Sequence, residues 1–201
     1  KPDEVAVTVM VIGDVFSEWG QTEKAVRFFE RALGIYTEIG DLEGILTSEN
    51  RLAQSLMTLR QFEEASDHLE QAVLIADENF AYSRLADLYT SLGELYYHQF
   101  QLNTAQKYFI DALDMKRKHS SQGAIAIALS DVAKVYQESG DTEKGIEFFR
   151  QGQQLAESAG EDAISAEIFL QIGELYMQES DEENTIQAML AGLNIAQEIH
   201  D

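Results

Sequence analysis

The sequence predicts an all-α solenoid of five two-helix repeats, with about ten antiparallel helices in total. Three observations lead to this fold class. The same residue classes return every forty positions along the chain. Within each forty-residue segment, apolar residues recur at the three- and four-residue spacing of a buried helical face. The only proline is Pro2, and because proline breaks helix interiors, its absence elsewhere favours long helices.

The forty-residue period is visible as columns of small and large side chains. One column is small at every step: Gly13, Ala53, Gly93, Ala133 and Gly173. The column three positions later is large: Phe16, Leu56, Tyr96, Tyr136 and Tyr176. A second small column is formed by Ala25, Ala65, Ala105, Gly145 and Thr185, and a second large column by Phe29, Leu69, Phe109, Phe149 and Met189. No gap is needed, so we predict one repeat domain over residues 1–201 with repeats at about 1–41, 42–81, 82–121, 122–161 and 162–201.

Each repeat is predicted to contain two helices. In the first repeat, one helical stripe consists of Val5, Val9, Ile12 and Phe16, and the next of Ala25, Val26, Phe29, Ala32, Leu33 and Tyr36. Gly20 and Gly140 suit the left-handed residue that ends a helix. The predicted N-caps are Asn103, Asp141 and Asp181. Small residues of one helix are expected opposite large residues of its partner, and each pair must stack on the next to cover its second face.

The third repeat resembles the tetratricopeptide repeat most fully. It carries the apolar, leucine-glycine, tyrosine and alanine-phenylalanine-alanine positions of that motif as Tyr89, Leu92, Gly93, Tyr96, Ala105, Phe109 and Ala112. The resemblance extends over essentially the whole chain and implies a right-handed superhelix. Two features differ from the family pattern. The period is longer than the usual ~34 residues, and the proline that normally follows the second helix is missing.

Repeats of this length are similar to those of kinesin light chains, of receptor-linked spindle-orientation adaptors, and of bacterial Rap-type and maltose-activator-type regulators. The resemblance implies a non-enzymatic scaffold that binds a peptide or partner protein. It leaves open an alternative, in which the array senses a signal or ligand and controls an attached effector domain of a larger bacterial regulator. Because the chain opens at Lys1 and the helical pattern has begun by Val5, we expect a fragment of a longer protein.

By the same resemblance, the first helix of each repeat should line a concave groove. The candidate partner-binding residues are its non-core positions: Asp14, Glu18, Asn50, Gln54, Met57, Glu94, Tyr97, His98, Lys134, Gln137, Glu174 and Met177. Carboxylates there could receive Lys or Arg of a partner, and amides could bond an extended peptide backbone. Each residue taken singly could instead be part of a solvated helix face. Capture of a C-terminal carboxylate is disfavoured, because the few cations of the groove lie among acids.

The charge balance bears on the choice of partner. The chain has 36 acidic and 14 basic residues, a net charge of −22. This balance disfavours nucleic acid and anionic membrane surfaces, whose binding requires Lys and Arg. It favours a basic or amphipathic protein partner, although acidity could equally serve solubility alone. The chain has no cysteine, no apolar run long enough for a membrane helix and no visible signal peptide, so we expect a cytoplasmic location.

No pattern of residues indicates an enzyme, a cofactor or a metal site. The histidines, at positions 68, 98, 119 and 200, are far apart in the sequence, and none forms a metal-binding pair at helical spacing. Each is interpreted as a lone surface histidine. The basic cluster at 116–119 is interpreted as complementing the dipole at a helix C-terminus.

The last repeat is predicted to leave an apolar edge. Its apolar residues are Ile186, Met189, Leu190, Leu193 and Ile195, and no polar capping helix follows them. Solenoid ends normally have such a cap. Either further helices follow in the intact protein, or this C-terminal edge packs on another copy of the chain.

Overall fold

A computed structural model describes residues 2–199. His200, one of the four histidines above, therefore lies outside the described residues, together with Lys1 and Asp201. The described chain is all-α. Its helices are α1 (Pro2–Glu18), α2 (Thr22–Ile39), α3 (Leu42–Thr58), α4 (Phe62–Glu78), α5 (Tyr82–His98), α6 (Leu102–His119), α7 (Gln122–Glu138), α8 (Thr142–Ser158), α9 (Asp162–Gln178) and α10 (Glu182–Glu198).

The helix starts follow the forty-residue period without slippage. The odd-numbered first helices begin at residues 2, 42, 82, 122 and 162, and the even-numbered second helices at 22, 62, 102, 142 and 182. No strand interrupts them between residues 2 and 199. The predicted class, an all-α helical repeat solenoid, is confirmed. The helices group into two compact units, Lys1–Gln99 and Phe100–Asp201, called here the N-terminal unit and the C-terminal unit.

In the N-terminal unit, each helix packs on the next along the chain, and α3 also contacts α1 and α5. Glycines permit the closest approaches. A Cβ added at Gly13 would lie 2.5 Å from the Phe29 ring, and one at Gly44 would overlap the Tyr36 ring. The core around these rings comprises Ala6, Val9, Met10, Ala25, Phe29, Ala32, Tyr36 and Leu52. The predicted nesting of small against large side chains therefore holds at Gly13 and Phe29.

The C-terminal unit repeats this arrangement with α6 to α10, and α7 also contacts α9. A Cβ at Gly173 would lie 2.8 Å from Met189 Cγ, and one at Gly152 would lie 2.9 Å from the carbonyl oxygen of Ala126. The buried cluster of this unit is formed by Ala126, Ala133, Phe149, Ala156, Ile168, Ile172, Leu175 and Ala188. Small residues thus set the distance between the paired helices here as well.

The helix ends show both predicted devices. Gly20 and Gly140 have φ values of 69° and 82°, the left-handed conformation expected of a helix C-terminus. Asp141 and Asp181 accept the backbone N–H of the residue three positions later. The predicted cap at Asn103 is wrong. Helix α6 already begins at Leu102, so Asn103 lies inside its first turn, and the preceding Gln101 makes no side-chain cap bond.

Three local interpretations need correction. Val5 and Ile12 are 46% and 37% exposed, because the helices that pack on α1 within residues 2–199 are α2 and α3, and they cover only part of its surface. Lys116 is buried rather than a solvated charge at a helix end. His68 is not a lone surface histidine, because its Nδ1 lies 2.5 Å from Oε2 of the buried Glu49.

Candidate functional site

The first helices of the N-terminal unit form a continuous layer, because α3 contacts both α1 and α5. No comparable contact joins α2 to α4 among the described residues. The layer carries eight of the candidate residues: Asp14, Glu18, Asn50, Gln54, Met57, Glu94, Tyr97 and His98. Closer spacing of the first helices is the arrangement expected of the inner side of a curved repeat array.

A cavity of about 420 Å³ lies between α3 and α5. Four predicted residues line it: Gln54, Met57, Glu94 and His98. Met57 is only 8% exposed, so it contributes an apolar wall of the cavity and not a protruding spot. Glu94 supplies a carboxylate, and Gln54 and His98 supply polar groups to the same space. The cavity can therefore receive a side chain with an apolar stem and a polar or cationic end.

Three further residues line this cavity: Thr58, which occupies the same column of the predicted groove wall as Glu18 and His98, and Arg60 and Phe62, which are absent from the sequence-based candidates. They belong to the end of α3, the turn, and the start of α4. The position of Arg60 at a helix end could have been predicted from the sequence, because Arg60 occupies the same column of the repeat as Gly20 and Gly140. Its φ is 61°, so a cationic side chain replaces glycine at a left-handed helix end beside the cavity.

Other predicted residues of this unit contact their neighbours. Asp14 Oδ1 pairs with Arg51 Nε at 3.2 Å, and Arg51 Nη1 also donates to Gln54 at 3.4 Å. The Tyr97 and His98 rings meet edge to face, with centroids 6.1 Å apart. Glu18 is exposed at the end of α1 and does not line the cavity.

Asn50 takes part in a bond between consecutive first helices. The hydroxyl of Ser91 on α5, itself buried, donates to Asn50 Oδ1 on α3 at 2.7 Å. The carbonyl side of Asn50 is therefore occupied within the protein. Its amide NH2 remains the group that could donate to a peptide carbonyl.

The C-terminal unit does not bring its four candidate residues into one cavity. Lys134 Nζ lies 3.5 Å from Asp131 Oδ1, and burial raises the pKa of Asp131 against the opposing effect of Lys134. Gln137 on α7 donates to Gln178 on α9 at 2.8 Å. Glu174 is exposed.

Met177 is 57% exposed and lines a separate cavity of about 340 Å³ near the start of α10. This cavity also contacts Ile186, one of the apolar residues of the predicted C-terminal edge. The edge residues Ile186, Leu190 and Leu193 are each at least half exposed.

Residues 2–199 contain no cluster of three or more His, Cys, Asp or Glu side chains that could hold a metal ion. None of the helices in that range is long and apolar enough to cross a bilayer.

Two tetratricopeptide repeat models match the chain, one over residues 44–118 and the other over residues 8–39 and 127–158. No curated protein matches the sequence.

Several solved structures are similar to the whole chain. BtubC (BKLC) from P. vanneervenii has a TM-score of 0.81 at 16% identity, over 100% of this chain and 84% of that one. A Rap protein complexed with competence and sporulation factor has a TM-score of 0.81 at 22% identity, over 98% and 57% of the two chains. A signal transduction ATPase with a tetratricopeptide repeat sensor, from Pyrococcus horikoshii, has a TM-score of 0.82 at 19% identity, over 98% and 31%. At these identities the likeness establishes the fold.

Proposed function

This chain belongs to the tetratricopeptide repeat family, and on that basis we propose that it is a non-enzymatic scaffold whose first helices bind a peptide or a partner-protein segment. Repeats of this family are generally interaction modules and not catalysts. Function on such a scaffold depends on the residues of its binding surface and not on the fold alone.

The observation that carries the proposal is the cavity between α3 and α5. Residues forty positions apart, Gln54 and Glu94, line it together with Met57 and His98. A concave site with an apolar wall and a few convergent polar groups is the usual form of a binding pocket.

The partner segment is proposed to be basic or amphipathic. The chain has a net charge of −22, and a surface with this charge attracts cationic polypeptides from a distance. Within the cavity, the Glu94 carboxylate can accept a Lys or Arg side chain whose aliphatic stem lies on Met57. Nucleic acid and anionic membranes are not proposed as partners, because both carry the same sign of charge.

The test is a fluorescence-anisotropy titration with a labelled amphipathic peptide that has lysines on one helical face and leucines on the other. We expect saturable binding that weakens as NaCl rises, because salt screens charge attraction. Glu94→Gln should weaken binding about two- to fivefold, the range of one partly exposed ion pair.

Glu63→Gln is the matched control, because Glu63 is an exposed acid at the start of the second helix α4 in the same unit and does not line the cavity. The proposal fails if the peptide does not bind, or if both substitutions reduce its affinity equally. Affinity that is independent of salt would argue against charge-based recognition.

A second candidate function is the sensing of a signal by a regulatory array. It is favoured by the likeness to a Rap protein in complex with competence and sporulation factor and to a tetratricopeptide repeat sensor. The chain spans 57% and 31% of those two proteins, so the likeness covers only part of each. An effector domain encoded beside residues 1–201 in the intact gene would favour this candidate over a simple adaptor.

The C-terminal edge is proposed to pack on another copy of the chain. Ile186, Leu190 and Leu193 are 58%, 52% and 50% exposed on α10, which is unusual for large aliphatic side chains so close together. Sedimentation should then show concentration-dependent dimers that Leu190→Glu dissociates. A monomer at high concentration would contradict this.

We also propose a cytoplasmic location, which is supported by the absence of cysteine from the sequence.

A further inference from the structure

A second groove, in the C-terminal unit, lies between the second helices α8 and α10. It has a volume of about 520 Å³, and its apolar floor on α9 includes Phe169 and Ile172. Amide side chains and Arg150 line its walls, and no carboxylate from residues 2–199 does. The chain has 36 acidic residues, so a groove lined by a cation and amides differs in charge from most of the protein.

In two other repeats an aromatic ring of the second helix fills the equivalent position. In the fourth repeat, the ring of Phe148 stacks on Tyr136 with centroids 5.4 Å apart and planes 12° apart. Lys144 Nζ lies 5.1 Å from the centre of the Tyr136 ring. The first repeat has the same arrangement, in which Phe28 stacks on Phe16 at 5.3 Å and Lys24 lies over the Phe16 ring at 5.2 Å.

The fifth repeat keeps the first ring and lacks the second. The equivalent positions are Tyr176, Ala188 and Asn184. Asn184 Nδ2 donates to Asp181 at 2.6 Å, as Lys144 does to Asp141 at the same distance, so the local backbone arrangement is retained. Because alanine replaces the stacking phenylalanine, the space beside Tyr176 is part of the groove.

Arg150, on α8, lines the same groove and supplies its cation. Its Nη2 donates to the Tyr176 hydroxyl at 2.9 Å, and it forms no ion pair with any residue between 2 and 199. Its guanidinium therefore retains donors that can bind a carboxylate in a bidentate manner. Several glutamines beside it could bond the backbone of an extended chain.

We propose that this groove binds an extended peptide segment that contains an aromatic residue next to an acidic one. The aromatic ring stacks on Tyr176 in the place that Phe148 occupies in the preceding repeat, and the acidic side chain pairs with Arg150. The site is separate from the layer of first helices and has the opposite charge preference. The scaffold would thus hold two segments of different chemistry.

The probe is a fluorescein-labelled peptide with the sequence Gly-Asp-Phe-Glu-Gly, titrated by fluorescence anisotropy at low salt. We expect saturable binding that is lost when alanine replaces the phenylalanine of the peptide. Arg150→Gln and Ala188→Phe should each weaken binding at least about fivefold, the size expected for one aromatic stack or one charge-assisted contact. Ala188→Phe acts by rebuilding the internal ring stack of the fourth repeat.

Lys107→Gln is the matched control, because it removes an exposed cation of the same unit that does not line the groove, and it should leave the affinity unchanged. No binding by the unmodified protein overturns the proposal, as does equal binding by Arg150→Gln. Circular dichroism reports whether Ala188→Phe remains folded. If it unfolds, Arg150→Gln decides the outcome alone, because Arg150 is exposed and its replacement disturbs no core packing.

Discussion

Between residues 2 and 199, four residues other than glycine end helices in the left-handed conformation: Arg60, Phe80, Phe100 and Ser180. At equivalent positions the chain uses Gly20, Gly40, Gly140 and Gly160. A side chain in this conformation brings its Cβ close to the backbone, which costs about 1–2 kcal/mol. The non-glycine residues therefore store local strain at half of these turns.

Positions 140 and 180 allow this strain to be measured in both directions. We predict that Ser180→Gly raises the free energy of unfolding by up to about 1 kcal/mol, because relief of strain outweighs the added freedom of the unfolded chain. Gly140→Ser should lower it by about 1 kcal/mol, although no atom lies within 4 Å of an added Cβ there. Urea denaturation of the two variants checks both signs. A change of the same sign in both would contradict the explanation by backbone conformation.

His68 is the residue at which stability should depend on pH. The hydrogen bond to Glu49 raises the pKa of His68, burial opposes the effect, and nearby acids, among them Asp67 and Glu30, add to it. A raised pKa in the folded state means that the stabilisation is fully present below the unfolded pKa of about 6.5. It is lost as the pH rises through the folded value.

We therefore predict that His68→Gln lowers the free energy of unfolding by about 1 kcal/mol at pH 5.5. At pH 8.5 the loss should be smaller. Denaturation curves at the two pH values measure this difference. In a Glu49→Gln background the partner carboxylate is absent, so His68→Gln should lose most of its pH dependence. A His68→Gln effect that grows toward high pH would contradict the assigned pair.

At the scale of the helix, the columns of small and large residues were sufficient to predict every two-helix repeat. The paired helices pack in the same way in every repeat, so a small residue is needed at the same position of each repeat. The forty-residue period is therefore visible in the sequence as columns of small and large residues. Side-chain bonds between consecutive first helices could not be predicted in this way. The bond from Ser91 to Asn50 and that from Gln137 to Gln178 both span forty-one positions, and nothing in residue type distinguishes such partners from solvated polar residues.

The joint between α2 and α3 depends on one glycine. An added Cβ at Gly44 would overlap the Tyr36 ring, which is 6% exposed and held in the core. We predict that Gly44→Ala lowers the free energy of unfolding by about 1–3 kcal/mol, the usual cost of overpacking, despite the better helix propensity of alanine.

Gly34→Ala is the matched control on the neighbouring helix. Gly34 lies on an exposed part of α2, and an added Cβ would meet no atom within 4 Å. This substitution should stabilise the protein by about 0.5–1 kcal/mol, because alanine favours the helix. Thermal melts of the two variants should therefore shift in opposite directions, and stabilisation by both would show that the joint has room that the structure does not indicate.

At the scale of the whole molecule, the sequence predicted which helices carry the candidate binding surface, but it did not predict every residue that lines a cavity. Glu94 and His98 could be placed on a first helix from the period alone, whereas Arg60 and Phe62 reach the cavity through a turn whose path depends on left-handed backbone. The groove beside Tyr176 was missed for a related reason. Its opening results from Ala188, a small residue that is unremarkable until its position is compared with the stacked Phe148 of the preceding repeat.

The net charge of −22 should make the stability of the folded chain depend on salt. Acidic side chains outnumber basic ones by more than two to one, so repulsion within the folded chain should outweigh attraction at low ionic strength. Raising NaCl from about 20 to 200 mM shortens the screening length from about 20 Å to below 10 Å. We expect Tm to rise by about 2–4 °C, which corresponds to roughly 1 kcal/mol for a chain of this size.

Glu38→Gln and Glu78→Gln provide the matched comparison. Both acids are exposed in the last turn of a second helix, where the helix dipole already disfavours negative charge. Removing both should reproduce part of the rise in Tm at low salt and reduce the further gain from added NaCl. A Tm that falls as salt increases would contradict this prediction. It would mean that ion pairs such as Asp14 with Arg51 stabilise the folded chain more than repulsion among the acidic side chains destabilises it.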